Sequence, residues 1–214
     1  MRLRNKILLA VLTFLVVYIF SLILWIQVKP YYGYVLTQVG TRLAAWSTGL
    51  RVRSIGLEEE GISVCFAGPV LTEKGLGELI VELKIVVSSF TYNVPLTIAL
   101  VAGLLPFFKW RKRYLAEIVI LLLFVHLLYI YLFCTLQVFY KLWLSNAGGH
   151  SDSVQLFLEF MWTFTQNLVI PFEPFLVAVY LWLRGRESSG SDSPDGKQRL
   201  ESRKKKGKKS KKGR

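Results

Sequence analysis

Residues 92–140 read YNVPLTIALVAGLLPFFKWRKRYLAEIVILLLFVHLLYIYLFCTLQVFY, two apolar runs joined at Lys109-Trp110-Arg111-Lys112-Arg113 just after Pro106. Lys and Arg clustered tightly between two long hydrophobic segments mark both a turn and its side of a membrane, because basic loops are held on the cytoplasmic side. The turn at Lys109, Arg111, Lys112 and Arg113 is therefore expected in the cytoplasm. The fold class that follows is mainly α and integral to the membrane.

Composition agrees with this reading. The 214 residues are 53% hydrophobic and 14% aromatic, and the apolar residues gather in runs instead of spreading at the periodicities of a soluble core. The net charge of +13 would suit a nucleic-acid partner, but Lys197–Arg214 holds eleven Lys or Arg and one Glu, so +10 belongs to the tail and only +3 to the rest. Lysines without interleaved aromatics offer no platform for stacking bases, so no specific nucleic acid is expected. Residues 185–214, rich in Ser, Gly and Lys, are predicted to be a disordered cytoplasmic tail. Such a tail either contacts anionic lipid or simply reinforces topology.

Toward the N-terminus, Arg2, Arg4 and Lys6 precede Ile7–Val28, a run of 22 residues without charge. About 20 residues cross a bilayer, so residues 1–30 are predicted to be an uncleaved anchor with its N-terminus in the cytoplasm. A signal peptide has a shorter apolar core, typically about 7–15 residues, and a small-residue cleavage site. From Tyr31 to Leu50, Tyr32, Leu36, Val39, Leu43, Trp46 and Leu50 recur at spacings of three and four. That spacing predicts a separate amphipathic helix, lying on the bilayer or packed on the lobe that follows.

Arg51–Ser89 switches to strand periodicity. Val52–Leu57 and Gly61–Phe66 flank Glu58-Glu59-Glu60-Gly61, read as a hairpin turn with glycine available for positive φ. In the third run Leu79, Val81, Leu83, Ile85 and Val87 alternate with a mixed face. Residues 31–89 are thus expected to form a small extracytoplasmic α+β lobe, three-stranded, between the first and second spans. Residues 90–184 hold the other three transmembrane helices, about 92–108, 114–140 and 160–183, with either a kink at Pro171 and Pro174 or an interfacial first part before the crossing expected in the long run Val154–Leu183. Basic residues at the N-terminus, at 109–113 and at Arg184 and Arg186 all fall on one side of this layout, so both termini are assigned to the cytoplasm of an inner (plasma) membrane protein.

Ionisable groups inside spans are costly and mark functional candidates. His126, eight residues beyond Ile118, and Glu173, ten residues before Leu183, lie roughly 12 and 15 Å from these cytoplasmic ends at about 1.5 Å per residue, so they are expected to approach one another as an intramembrane polar pair. Separate packing roles remain the alternative. Glu117, one turn past Arg113, is expected to pair with it. Cys65 and Cys134 form no metal or redox motif, and Cys134 is about 12 Å in rise from His126, too far for a nucleophile and base. Catalytic, cofactor-binding and metal-binding residues are therefore not assigned, and the chain is read as a non-enzyme. A transporter or channel subunit using His126 and Glu173, or a scaffold with a lipid-binding polybasic tail, are the alternatives.

The order of parts resembles the exosortase H-associated membrane proteins of Gram-negative bacteria. The resemblance rests on the basic N-terminal anchor, the small β lobe, the entry Phe90-Thr91-Tyr92-Asn93-Val94-Pro95-Leu96, the basic turn, and a last span with Pro171, Pro174 and Trp182. It covers residues 1–186 and implies an accessory role in protein sorting, with an exosortase or its sorted substrate as partner. No catalytic residue is carried over by it.

Overall fold

A computed structural model describes residues 3–59, 61–72, 75–107, 112–144 and 152–191. Lys109, Arg111, His150 and residues 192–214 of the tail lie outside them, whereas residues 185–191, expected to be disordered, continue the last helix. Four helical segments are long and apolar enough to cross a bilayer: Leu3–Thr48, Ser88–Phe107, Arg113–Leu144 and Asp152–Arg184. A three-stranded antiparallel sheet lies between the first and second of these in sequence.

Helix α1, Leu3–Thr48, runs 46 residues through Pro30, which corrects the division into an anchor ending at residue 30 and a separate helix from Tyr31. Proline removes one N–H from the ladder, and apolar helices tolerate this where neighbours satisfy the freed carbonyl. The burial of its second half departs from the alternative in which the apolar stripe packs on the lobe. Gly33, Leu36, Thr37, Gly40, Thr41, Ala44 and Ala45 are buried, while Val39, Leu43 and Trp46 are exposed. Small residues let backbones approach closely, so the helix packs through them and leaves the large apolar ones outside. A Cβ built on Gly40 would stand 2.6 Å from Ile130 Cγ2, and one on Gly33 would stand 2.5 Å from both methyls of Val87. Thr41 hides its hydroxyl by donating to the Thr37 carbonyl at 2.6 Å. The helix ends at Gly49, whose φ of 72° suits the left-handed stop that glycine provides.

Strands β1 (Arg51–Glu58), β2 (Gly61–Thr72) and β3 (Gly75–Ile85) form a meander in the order β1-β2-β3. The first hairpin pairs Glu58 with Gly61, and the register slips between Val52 and Ser54. Gly61 does not supply positive φ; Gly49 and Gly75 are the described glycines that do. It is needed because a Cβ there would meet the Ile85 carbonyl oxygen at 2.6 Å. The period-two face expected in the third run is buried: Val81, Ile85 and Val87 are inside, with Leu79 and Leu83 packed at the rim. These pack with Ile62, Val64 and Phe66 of β2 against Leu36, Ala44 and Ala45 of α1 and against Tyr129, Ile130, Cys134 and Val138 of α4, Lys112–Leu144.

The second span is built from the short α2, Ser88–Thr91, and α3, Val94–Leu104, closed by a tight turn at Leu105–Phe107. Pro95 sits in the first turn of α3, where its missing N–H costs nothing. The last segment comprises α5, Asp152–Phe164, a π-helical turn at Thr165–Val169, and α6, Ile170–Ser191. The expected irregularity thus falls just ahead of Pro171 and Pro174. Ile170 N–H returns to Thr165 O, five residues back. A second apolar cluster of Val101, Ile118, Leu122, Val177 and Leu181 joins α3, α4 and α6 toward the end that carries Arg113 and Arg184.

Candidate functional site

The two apolar clusters are separated by a polar layer. On α4 His126 lies between Leu122 of one cluster and Tyr129 and Ile130 of the other; on α6 Glu173 lies between Val177 and Ile170. On α3 Thr97 occupies the same layer. His126 is 0% exposed and Glu173 is 2% exposed. Buried ionisable groups at this depth persist only when paired or hydrogen-bonded, and both are.

His126 Nε2 stands 2.9 Å from Glu173 Oε2, so the structure brings together the two residues singled out by depth. Thr97 Oγ1 donates to Glu173 Oε1 at 3.3 Å. On the other side of the ring, the Tyr32 hydroxyl lies 2.7 Å from His126 Nδ1. Tyr32, Thr97, His126 and Glu173 therefore form one chain of contacts through all four apolar segments. Three proton arrangements satisfy it, one of them a neutral carboxyl that donates to Nε2 while Nδ1–H donates to the Tyr32 oxygen. With Nε2 alone protonated, the imidazole donates to Glu173 and accepts from Tyr32; with both nitrogens protonated, Nδ1–H donates to the Tyr32 oxygen and the imidazolium faces the carboxylate.

Aromatic side chains wall this network. Phe90, fully buried, packs edge-to-face on the His126 ring at 5.6 Å between centroids and stacks on Tyr129 at 5.0 Å. Trp162 lies against Tyr129 at 4.7 Å, and Trp25 against Tyr32 at 5.2 Å. The Tyr129 hydroxyl meets Ser89 Oγ at 3.1 Å.

A backbone repair lies next to the layer. Pro174 has no N–H to return to the Ile170 carbonyl, four residues back, and Asn93 Nδ2 donates to that oxygen instead at 2.6 Å. The entry to the second span thereby holds the kink-prone turn of the last one. Asn93, Tyr32 and Thr97 were not read as site residues from sequence; the available signal is a polar side chain inside an apolar run, which His126 and Glu173 share.

At the other end of the bundle Glu117 gathers four helical turns into a second cluster. Arg113 Nε donates to Glu117 Oε1 at 2.8 Å, the Tyr180 hydroxyl donates to Oε2, and Arg184 Nη2 lies 3.8 Å from the same oxygen. Of the basic turn, Lys112 and Arg113 open α4. Cys134 is buried in the upper cluster, and Cys65 is half-buried on β2; both are free thiols. Among the described residues no group of three or more His, Cys, Asp or Glu is placed to hold a metal ion.

The chemistry of the polar layer is that of a sealed clasp. It offers a carboxyl group, an imidazole and two hydroxyls to one another, with Thr97, His126 and Glu173 buried and Tyr32 partly so. No protein-family model, curated protein or solved structure matches this chain.

Proposed function

We propose that the chain is a non-enzymatic, multi-pass inner-membrane protein that presents its sheet to a membrane partner, as an accessory of an exosortase-type protein-sorting system. The observation that carries the presenting role is how the sheet is mounted. Only Gly49 and Leu50 separate α1 from β1, and only Val86 and Val87 separate β3 from α2. One face of the sheet is sealed onto α1 and α4. The opposite face is left available, carrying Glu78, Ile80, Glu82 and Lys84, all exposed. A sheet held by short links at both ends and by packing along one face is a stiff platform.

The exosortase assignment rests on the resemblance in layout from the basic anchor to Trp182. The basic clusters at residues 2–6, 109–113 and 184–186 support cytoplasmic termini and an external sheet. The sealed His126–Glu173 pair fits a clasp between spans better than a polar path, because its walls are aromatic and its members have no exposed surface to hand an ion onward. Two observations test the reading together: an exosortase gene next to this one, and co-purification of that exosortase or its substrate with the full chain. Charge reversal at Glu78 and Glu82 is expected to weaken co-purification by about tenfold. Repeated absence of the neighbouring gene, with no co-purification, would sink it.

A further inference from the structure

A cleft of about 580 Å³ opens where the sheet meets the spans. Three parts of the chain build it, with Lys29 from α1, Leu57, Glu58 and Glu59 from the turn of the first hairpin, and Val86 and Ser88 from the link into α2 and its first residue. Its height is marked twice by the sequence. Lys29 is the first charge after the uncharged run Ile7–Val28, and Ser88 opens the second candidate span. Both belong at the boundary between hydrocarbon and water, where head groups lie.

The lining combines one ammonium with two carboxylates. Glu58 Oε2 lies 3.7 Å from Lys84 Nζ, with both side chains nearly half exposed, a contact weak enough to be exchanged for a ligand. The rim adds Leu57 at 59% and Val86 at 42% exposure. Below Lys29 the cleft leads onto bare helix: only 6% of the most apolar window of the first span is buried, so alkyl chains have a surface to follow.

We propose that this cleft binds the head group of a phospholipid bearing both a phosphate and a primary ammonium group, as in phosphatidylethanolamine. Lys29 and the Ser88 hydroxyl face the phosphate, and the carboxylates of Glu58 and Glu59 accept from the ammonium. Phosphatidylglycerol brings the phosphate without a cation and leaves both carboxylates against its glycerol. Phosphatidylcholine brings a cation without N–H donors. The cleft therefore discriminates by hydrogen bonding to the amine, and charge alone does not explain it.

The test uses the full chain in nanodiscs made from equal parts of the three phospholipids, released into native mass spectrometry to read the lipids retained. Phosphatidylethanolamine is expected to be retained about tenfold over phosphatidylglycerol. Glu58→Gln with Glu59→Gln is expected to erase that preference. Lys29→Ala is expected to lower retention of all three lipids, and Lys29→Arg to restore it, which separates loss of a phosphate contact from loss of fold. Equal retention of the three lipids by the native chain overturns the proposal. So does a preference for phosphatidylethanolamine that survives the double Gln substitution.

Discussion

Replacing His126 by Leu removes the centre of the polar layer while keeping an apolar side chain in its place. Glu173 then loses its partner at 2.9 Å, and the Tyr32 hydroxyl loses its own at 2.7 Å. Only Thr97, at 3.3 Å, still serves the carboxyl group. Hydrogen bonds between membrane helices are worth about 0.6–2 kcal/mol each, whereas leaving a buried polar group without its partner costs about 1–3 kcal/mol, and more for a charged one. The second effect is the larger and falls on both the carboxyl group and the Tyr32 hydroxyl, so His126→Leu is expected to lower stability by about 2–6 kcal/mol. Adding Glu173→Leu strands no carboxyl group, and the Thr97 hydroxyl can turn to the Asn93 carbonyl one helical turn back, so the Tyr32 hydroxyl is left as the main unmatched group, about 1–3 kcal/mol. Adding Tyr32→Phe removes that as well and is expected to bring the triple variant within about 1 kcal/mol of the native chain. Stability thus falls with the first substitution and recovers with the next two. Equilibrium unfolding in mixed detergent micelles, followed by tryptophan fluorescence, measures each step. A series in which every added substitution lowers stability further, in additive steps, refutes the reasoning.

The repair at Ile170 makes a second prediction. Asn93→Ala is expected to cost about 1–3 kcal/mol by leaving a buried carbonyl unsatisfied, and less than about 1 kcal/mol in a Pro174→Ala background, where residue 174 regains its N–H; the same unfolding assay reads both, and equal losses in the two backgrounds contradict the repair. Reporters fused at Gly75, Lys112 and His150 are expected to place only Lys112 in the cytoplasm, and activity there from either of the others would invert the proposed orientation.

The hydropathy of the chain is legible in its runs, and so is the sheet, because period two in Leu79–Val87 and the polar stretch at Glu58 need only local rules. The face that α1 buries is not. Amphipathic periodicity picks out the large apolar residues, so Val39, Leu43 and Trp46 read as one stripe facing the bilayer or the lobe; the helix instead packs through the small Gly40, Thr41 and Ala44, where backbones approach closely, and leaves the large residues exposed. Pro30 misleads for a related reason, since a boundary in a soluble helix is a tolerated gap in an apolar one. Within the polar layer, His126 and Glu173 stand out as deep ionisable residues. Tyr32 and Thr97 do not, because Tyr and Thr are common in apolar helices, and their contacts depend on how helices 94 and 76 residues away are placed.

The polar layer also has an order in time. Its members lie at residues 32, 97, 126 and 173, one in each apolar segment, and a ribosome delivers them in that sequence. Tyr32 can meet His126 once the third segment is made, yet the imidazole has no carboxyl partner until the fourth arrives. The latch between the helices therefore closes only on a complete and correctly threaded chain. A translation product cut short of residue 173, or one whose last segment enters the wrong way up, keeps an imidazole with its Nε2 side unmatched inside the bilayer. Assembly of the layer is in this sense a record that insertion has finished.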